Sequence, residues 1–187
     1  MTTATLAAER GTTRWSIDPT HTHVGFGVRH LMISTVKGRF AGVDGAVSLE
    51  NGSAAKARID VTIDAASIDT GVAQRDDHLR SPDFFDVARF PTLTFKSRRI
   101  ERTGKDALRV TGDLTIRDVT REIRLDVLEL GNVRDPWGGE RAGYSASARI
   151  NRRDFGLTWN QALETGGLVV GDEVAITLEA ELVRESV

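Results

Sequence analysis

His21 and His23 stand two residues apart, so on an extended strand both imidazoles point the same way, which is half of a metal site. A third ligand would have to come from His30, His78 or a carboxylate, and His30 has the opposite parity to His23. Against the metal reading, Asp18-Pro19-Thr20-His21 has the composition of a strand-initiating turn that hydrogen-bonds its own imidazole, and this local reading is preferred. His30 extends the apolar row Val24, Phe26, Val28, so it is expected at the interior near a strand end. There it is either a satisfied core imidazole or a donor to a polar group of a ligand. The densest run of titratable residues is Arg75 to Asp86, with Asp76, Asp77, His78, Arg80 and Asp83 inside it. Leu79 and the pair Phe84-Phe85 make that run a helical lid docked by aromatic anchors, its charges forming a solvated face. The sequence carries no nucleophile elbow, phosphate-cradling glycine loop or paired-carboxylate motif, so no catalytic residue and no cofactor are assigned.

The elements that must position these groups are strands. Val24, Phe26 and Val28 oppose His23, Gly25, Gly27 and Arg29, and Val43, Gly45, Val47 and Leu49 oppose Asp44, Ala46, Ser48 and Glu50. The same period of two recurs over Ile59–Ile63, Leu93–Phe95, Leu108–Ile116, Ile123–Val127, Tyr144–Ile150 and Val174–Leu182. One face of each strand is apolar and the other polar, the signature of antiparallel pairing. Asn51-Gly52, Thr103-Gly104-Lys105, Asp118–Thr120 and Asp135-Pro136-Trp137-Gly138-Gly139 punctuate them as turns. The single helical stretch runs from about Val72 to Asp86, with Pro82 restarting a turn after Ser81. One helix cannot cover about eight apolar faces, so the faces must cover one another in a sandwich or a closed barrel. Gly25, Gly27, Gly38 and Gly42 in the first two strands permit the coiling that closure needs, which favours the barrel.

Composition sets outer bounds. The 187 residues suit one domain, with 40% hydrophobic and 28% charged residues in a globular balance. Twenty-five basic against 27 acidic residues give a net charge of -2, which offers no electrostatic case for nucleic acid. With no cysteine, disulfides, thiolate metal sites and cysteine nucleophiles are excluded, and the chain suits a reducing compartment. Met1 to Thr13 include Glu9 and Arg10 without an apolar run, so residues 1–13 are expected to be a loose tail rather than a leader, and 14–187 the domain. No stretch approaches transmembrane length, so no integral membrane segment is expected.

From Trp15 to Leu182 the chain resembles the YceI-like family. The resemblance rests on Trp15-Ser16-Ile17-Asp18 with His21, on Val24–His30, and on Val36-Lys37-Gly38-Arg39-Phe40. It continues through Arg75-Asp76 with His78-Leu79, Phe84-Phe85-Asp86, Phe90–Ser97, Leu114-Thr115-Ile116 with Val119-Thr120, and Asp154-Phe155-Gly156-Leu157. One departure is Asp118, where the family commonly has glycine, and it concerns the local turn only.

The resemblance implies an eight-stranded, lipocalin-like antiparallel barrel with a short helical lid. It further implies a hollow interior that binds a polyisoprenoid molecule, often in a homodimer, and the missing leader favours a cytoplasmic form. Such a ligand would be enclosed by Phe26, Val28, Phe40, Val61, Leu93, Phe95, Leu114 and Trp159, with His30, Arg75 and His78 near the rim for a head group. At about 25 cal/mol per Å² of apolar surface, an enclosed chain needs few polar contacts. Two rival readings stay open: a metal-dependent enzyme using His21 and His23, and an interaction module whose barrel is filled by its own side chains.

Overall fold

A computed structural model of the chain describes residues 11–51, 53–164 and 167–185. Residues 1–10 of the expected tail and Gly52 of the expected Asn51-Gly52 turn lie outside them. The first strand already begins at Thr12.

The strands are β1 (Thr12–Ile17), β2 (His23–His30), β3 (Ser34–Phe40), β4 (Val43–Glu50), β5 (Ser53–Asp64) and β6 (Ile68–Asp69). After helix α1 (Ala73–Arg80) come β7 (Thr92–Arg102), β8 (Ala107–Ile116), β9 (Val119–Arg134), β10 (Glu140–Asn151) and β11 (Val170–Arg184). They form one antiparallel sheet that closes where β1 pairs with β11. Several of these strands are halves of one barrel stave. β1 and β2 both run against β11, with Ile17 opposite Leu182 and His23 opposite Glu179, so 12–30 is a single stave interrupted at 18–22. In the same way β3 and β4 run against β2 and β1, and β5 and β6 run against β4 and β3. Eight staves result, the antiparallel barrel that the alternation calls for.

α1 and residues 152–164 and 167–169 lie at one end of the barrel. The start of β1, the 103–106 and 135–139 turns and the end of β11 lie at the other. α1 is shorter than the stretch expected from sequence. It stops at Arg80 because Ser81 precedes Pro82 and takes an extended backbone (ψ 170°). Asp77 keeps the solvated face expected, its side chain 78% exposed, while Arg75, Asp76 and Arg80 tie the helix to the segment that follows β5. The Arg80 guanidinium donates to the carbonyls of Ala66 (2.9 Å) and Ile68 (2.8 Å), and Arg75 donates to Thr70 Oγ1 (2.7 Å) and its carbonyl (2.9 Å). The buried Asp76 carboxylate accepts from the Thr70 amide (2.9 Å) and hydroxyl (2.5 Å).

Inside, two glycines make room for aromatic rings. A Cβ on Gly38 would stand 2.4 Å from the Phe26 ring, and one on Gly112 would stand 2.5 Å from the Phe95 ring. Four register shifts interrupt the strand pairing among the described residues, two of them bulges that bear on the polar end of the barrel interior. One lies between Ser97 and Arg99 on β7, and the other sits where β9 meets β10 at Gly143 and Tyr144. Each inserts a residue and so reverses which parity faces inward. The β8–β9 hairpin turns at Arg117-Asp118, and the left-handed residue is Arg117 (φ 57°), one before the aspartate that departs from the family pattern.

Candidate ligand cavity

The inward faces of the staves enclose a cavity of about 490 Å³, a volume ordinary for a small-molecule site. Its wall is apolar along most of its length. Phe26, Phe40, Val61, Leu93, Phe95 and Leu114, all named from sequence, line it. So does Phe85, which follows α1 and meets the Phe40 ring edge-on at 5.6 Å, while Phe40 lies 5.7 Å from Phe26. These three rings cap the helix end.

The other five candidates lie off the cavity wall, and each position has a physical reason. Val28 and His30 sit one and two pleats beyond Phe26 along β2, past the aromatic cap. Arg75 is engaged with Thr70. His78 bonds Asp83 through Nε2 (2.8 Å), and its ring stands edge-on to Phe84 (5.1 Å) and Trp159 (4.7 Å). Trp159 belongs to that outer cluster, 5.3 Å from Phe84, and so packs under the lid segment instead of into the barrel.

The polar part of the lining is at the opposite end: Arg102, Glu129, Asn132 and Tyr144. Arg102 makes a two-pronged pair with Glu129, at 2.8 and 3.2 Å, which raises the guanidinium pKa further. Burial pushes the Tyr144 phenol above its ordinary value, and the Glu129 carboxylate pushes the same way while Arg102 opposes. Tyr144 is therefore a neutral hydroxyl at neutral pH. Trp15 also lines the cavity, and its indole N–H is buried without an acceptor among the described residues. Arg102 and Asn132 are lining residues and also solvent-exposed, so the cavity reaches the surface here. Sequence reasoning missed all of these as lining groups. Arg102 and Asn132 each follow a bulge, and alternation extrapolated across a bulge assigns the wrong face.

The histidine pair resolves into two unrelated environments. His21 Nδ1 lies 2.9 Å from Asp18 Oδ2, and Asp18 also accepts from the Thr20 hydroxyl (2.6 Å), which is the local turn expected. The His23 ring lies over Gly25 beside Thr177. Asp18, His21 and Glu181 are close enough together to hold a cation. Arg141 already supplies one: its guanidinium donates to Asp18 (2.9 Å), to Glu181 and to Asp135 (2.8 Å). A metal would have to displace that guanidinium, so the donor set does not fit a metal centre.

A buried arginine organises the helix end. Arg152, 3% exposed, donates to the carbonyls of Leu157 (2.6 Å), Trp159 (2.8 Å) and Gly171 (2.9 Å), and to Asp172 (3.2 Å). It ties residues 157–159 to the start of β11. No sequence pattern marked it, because a buried arginine looks like any surface arginine until its acceptors are assembled.

The sequence pattern of the YceI-like domain matches residues 15–182. The chain belongs to the YceI-like family. A UPF0312 protein of Enterobacter sp. (strain 638) is 41% identical over 138 residues, covering 74% of this chain and 71% of that one. Among solved structures, BcnA of Burkholderia cenocepacia superposes with a TM-score of 0.77 at 25% identity, over 88% of this chain and 98% of its own. A polyisoprenoid binding domain from Saccharophagus degradans shares the fold with a TM-score of 0.66 at 19% identity, over 90% and 97% of the two chains. This YceI-like chain thus has the family's barrel around an apolar cavity. Among its described residues no helix is long and apolar enough to cross a membrane.

Proposed function

We propose that this chain binds an isoprenoid lipid, of the polyprenyl or isoprenoid-quinone type, non-covalently in the barrel, for storage or transport. The observation that carries the reading is the cavity itself: an apolar bore, capped by aromatic rings at one end and reaching solvent beside a few polar groups at the other. An apolar tail needs such a bore, and a polar head needs a few donors and acceptors to fix its direction. The tail runs toward Phe26, Phe40 and Phe85, and the head group meets Arg102, Glu129, Asn132, Tyr144 and the Trp15 N–H. That polarity is opposite to the one expected from His30, Arg75 and His78. Membership of the family and the polyisoprenoid-binding domain of like fold support the ligand class. The binding reading is preferred to a metal-dependent enzyme because Arg141 occupies the position a cation would take beside His21.

Mass spectrometry of organic extracts from the purified protein, followed by titration of the delipidated protein with isoprenoid quinones and prenyl phosphates, tests it. A co-purifying isoprenoid or saturable binding is expected. A protein that carries no lipid and refuses both ligand types sinks the proposal.

A further inference from the structure

One hairpin contributes to the cavity on its inside and is apolar on its outside. The inner face of β9 and β10 supplies Glu129, Asn132, Ala142 and Tyr144 to the open end of the cavity. The outer face and tip carry Leu128 (53% exposed), Leu130 (62%), Val133 (63%) and Trp137 (86%). β8 pairs with β9 only as far as Leu128, so residues 130–134 stand beyond the rim with β10 alone as partner.

The tip is firmly held. Asp135 Oδ1 accepts from the Trp137 amide (3.0 Å) and the Gly139 amide (2.8 Å), and Gly138 takes the left-handed backbone the turn requires (φ 92°). Asp135 Oδ2 accepts from Arg141, which is itself anchored to Asp18 and Glu181 on the barrel wall. Leaving a tryptophan in water is unfavourable, and here the backbone is built to present it.

Two kinds of occupant could cover this surface: a second protein chain or a lipid surface. A stable dimer buries roughly 800 Å² on each partner over a flat, complementary face. Four side chains along a projecting hairpin do not make one. The free edge of residues 130–134 is also broken by the bulge at Leu130-Gly131 and carries the inward polar Asn132, features that discourage strand pairing. A projecting indole with aliphatic neighbours instead suits the boundary between phospholipid head groups and acyl chains, which accommodates shape without complementarity. The rim charges are largely matched, Arg102 with Glu129 and Arg134 with Glu140, so a neutral bilayer suffices.

We propose that the outer face and tip of the β9–β10 hairpin dock on a phospholipid bilayer, so that the cavity mouth faces the lipid from which its ligand is drawn. This rests on the lipid-binding reading. The opposite end of the barrel provides the control, because Met32 (62% exposed) and Ile33 (81%) are also apolar and exposed but lie beyond the aromatic cap.

The test is flotation of the full chain with phosphatidylcholine vesicles, at low and high salt, for wild type, the double variant Leu130→Ser/Trp137→Ser, and Ile33→Ser. Wild type and Ile33→Ser are expected to float alike at both salt concentrations, and the double variant to lose at least tenfold in bound fraction. Binding of a short-chain isoprenoid quinone in vesicle-free solution should be equal in all three, because the substituted side chains are outside the cavity. No flotation of wild type, or equal flotation of the double variant, overturns the docking surface. So does a double variant that differs from wild type only in turning a dimer into a monomer by analytical ultracentrifugation. Vesicle association that persists while no isoprenoid binds overturns the cavity reading and upholds the docking surface.

Discussion

Replacing Ala146 by phenylalanine is expected to move stability and ligand affinity in opposite directions. Ala146 lies mid-strand on β10 between Val127 and Leu178, its partners on the two neighbouring strands, and it lines the cavity. A strand accepts phenylalanine readily, and the phenyl ring would enter open space within the 490 Å³ cavity and clash with little. Burying the ring contributes about 1.5–3 kcal/mol, against about 0.5–1 kcal/mol of lost side-chain freedom. The delipidated variant should therefore be about 1–2 kcal/mol more stable, a rise of about 2–4 °C in Tm for each kcal/mol. The same ring takes the room of roughly one five-carbon isoprene unit. At about 0.8 kcal/mol per buried methylene-sized group, that costs the ligand up to about 4 kcal/mol, close to a thousandfold in Kd. Urea denaturation of delipidated protein gives the first quantity, and fluorescence titration with an isoprenoid quinone gives the second. A variant that loses more than about 1 kcal/mol of stability and binds as wild type would refute the reasoning. That result means the barrel is filled by its own side chains in solution and the ligand sits elsewhere.

Arg152→Met keeps the apolar stem but strands the buried carbonyl of Leu157 and the half-buried ones of Trp159 and Gly171, so denaturation should show a loss of about 3 kcal/mol. The β2–β3 turn holds Leu31 (φ 52°) and Met32 (φ 60°) in left-handed backbone, which suits Asn-Gly. Leu31→Asn/Met32→Gly should therefore raise stability by about 1–2 kcal/mol in the same assay, and no gain would mean that the turn holds no strain. The Asp18 hydrogen bond, with Glu181 assisting and Arg141 opposing, raises the His21 pKa above its ordinary 6.5. Stability from protonated His21 is thus full below pH 6.5 and lost as pH rises through the raised folded value. An NMR titration should show Asp18→Asn returning His21 toward its ordinary range, and a wild-type His21 titrating at or below 6.5 discards the pairing. Asp18 is held well below the usual carboxylate range, chiefly by the Thr20 hydroxyl and then by His21. Its contribution is present above the ordinary carboxylate pKa of 3.8 and disappears as pH falls through the depressed value.

The register of the sheet decides which lining residues alternation could reveal. Leu93, Phe95 and Leu114 were legible because each lies on an unbroken run of period two, and so was the closure of about eight amphipathic strands on themselves. Val28, on an equally regular run, faces inward yet lies past the cap, because periodicity fixes a face and says nothing of depth along the bore. The polar end was illegible for a related reason. Counting in twos from Leu93 and Phe95 puts Arg99 and Glu101 inside and Ile100 and Arg102 outside. The bulge after Ser97 reverses this, pairing Ile100 with Val110 and Arg102 with Leu108, both inward residues of β8. Asn132 turns inward in the same way after the bulge at Gly131. A bulge becomes visible only when the partner strand is known, because it is defined by two residues opposing one. These two bulges aim Arg102 and Asn132 toward the open end of an apolar bore, and the strand period conceals both, whereas Glu129 and Tyr144 keep step with Val127 and Ala146. The histidines drew attention for their chemistry alone, whereas part of the polar lining at the open end depends on where the strands break step.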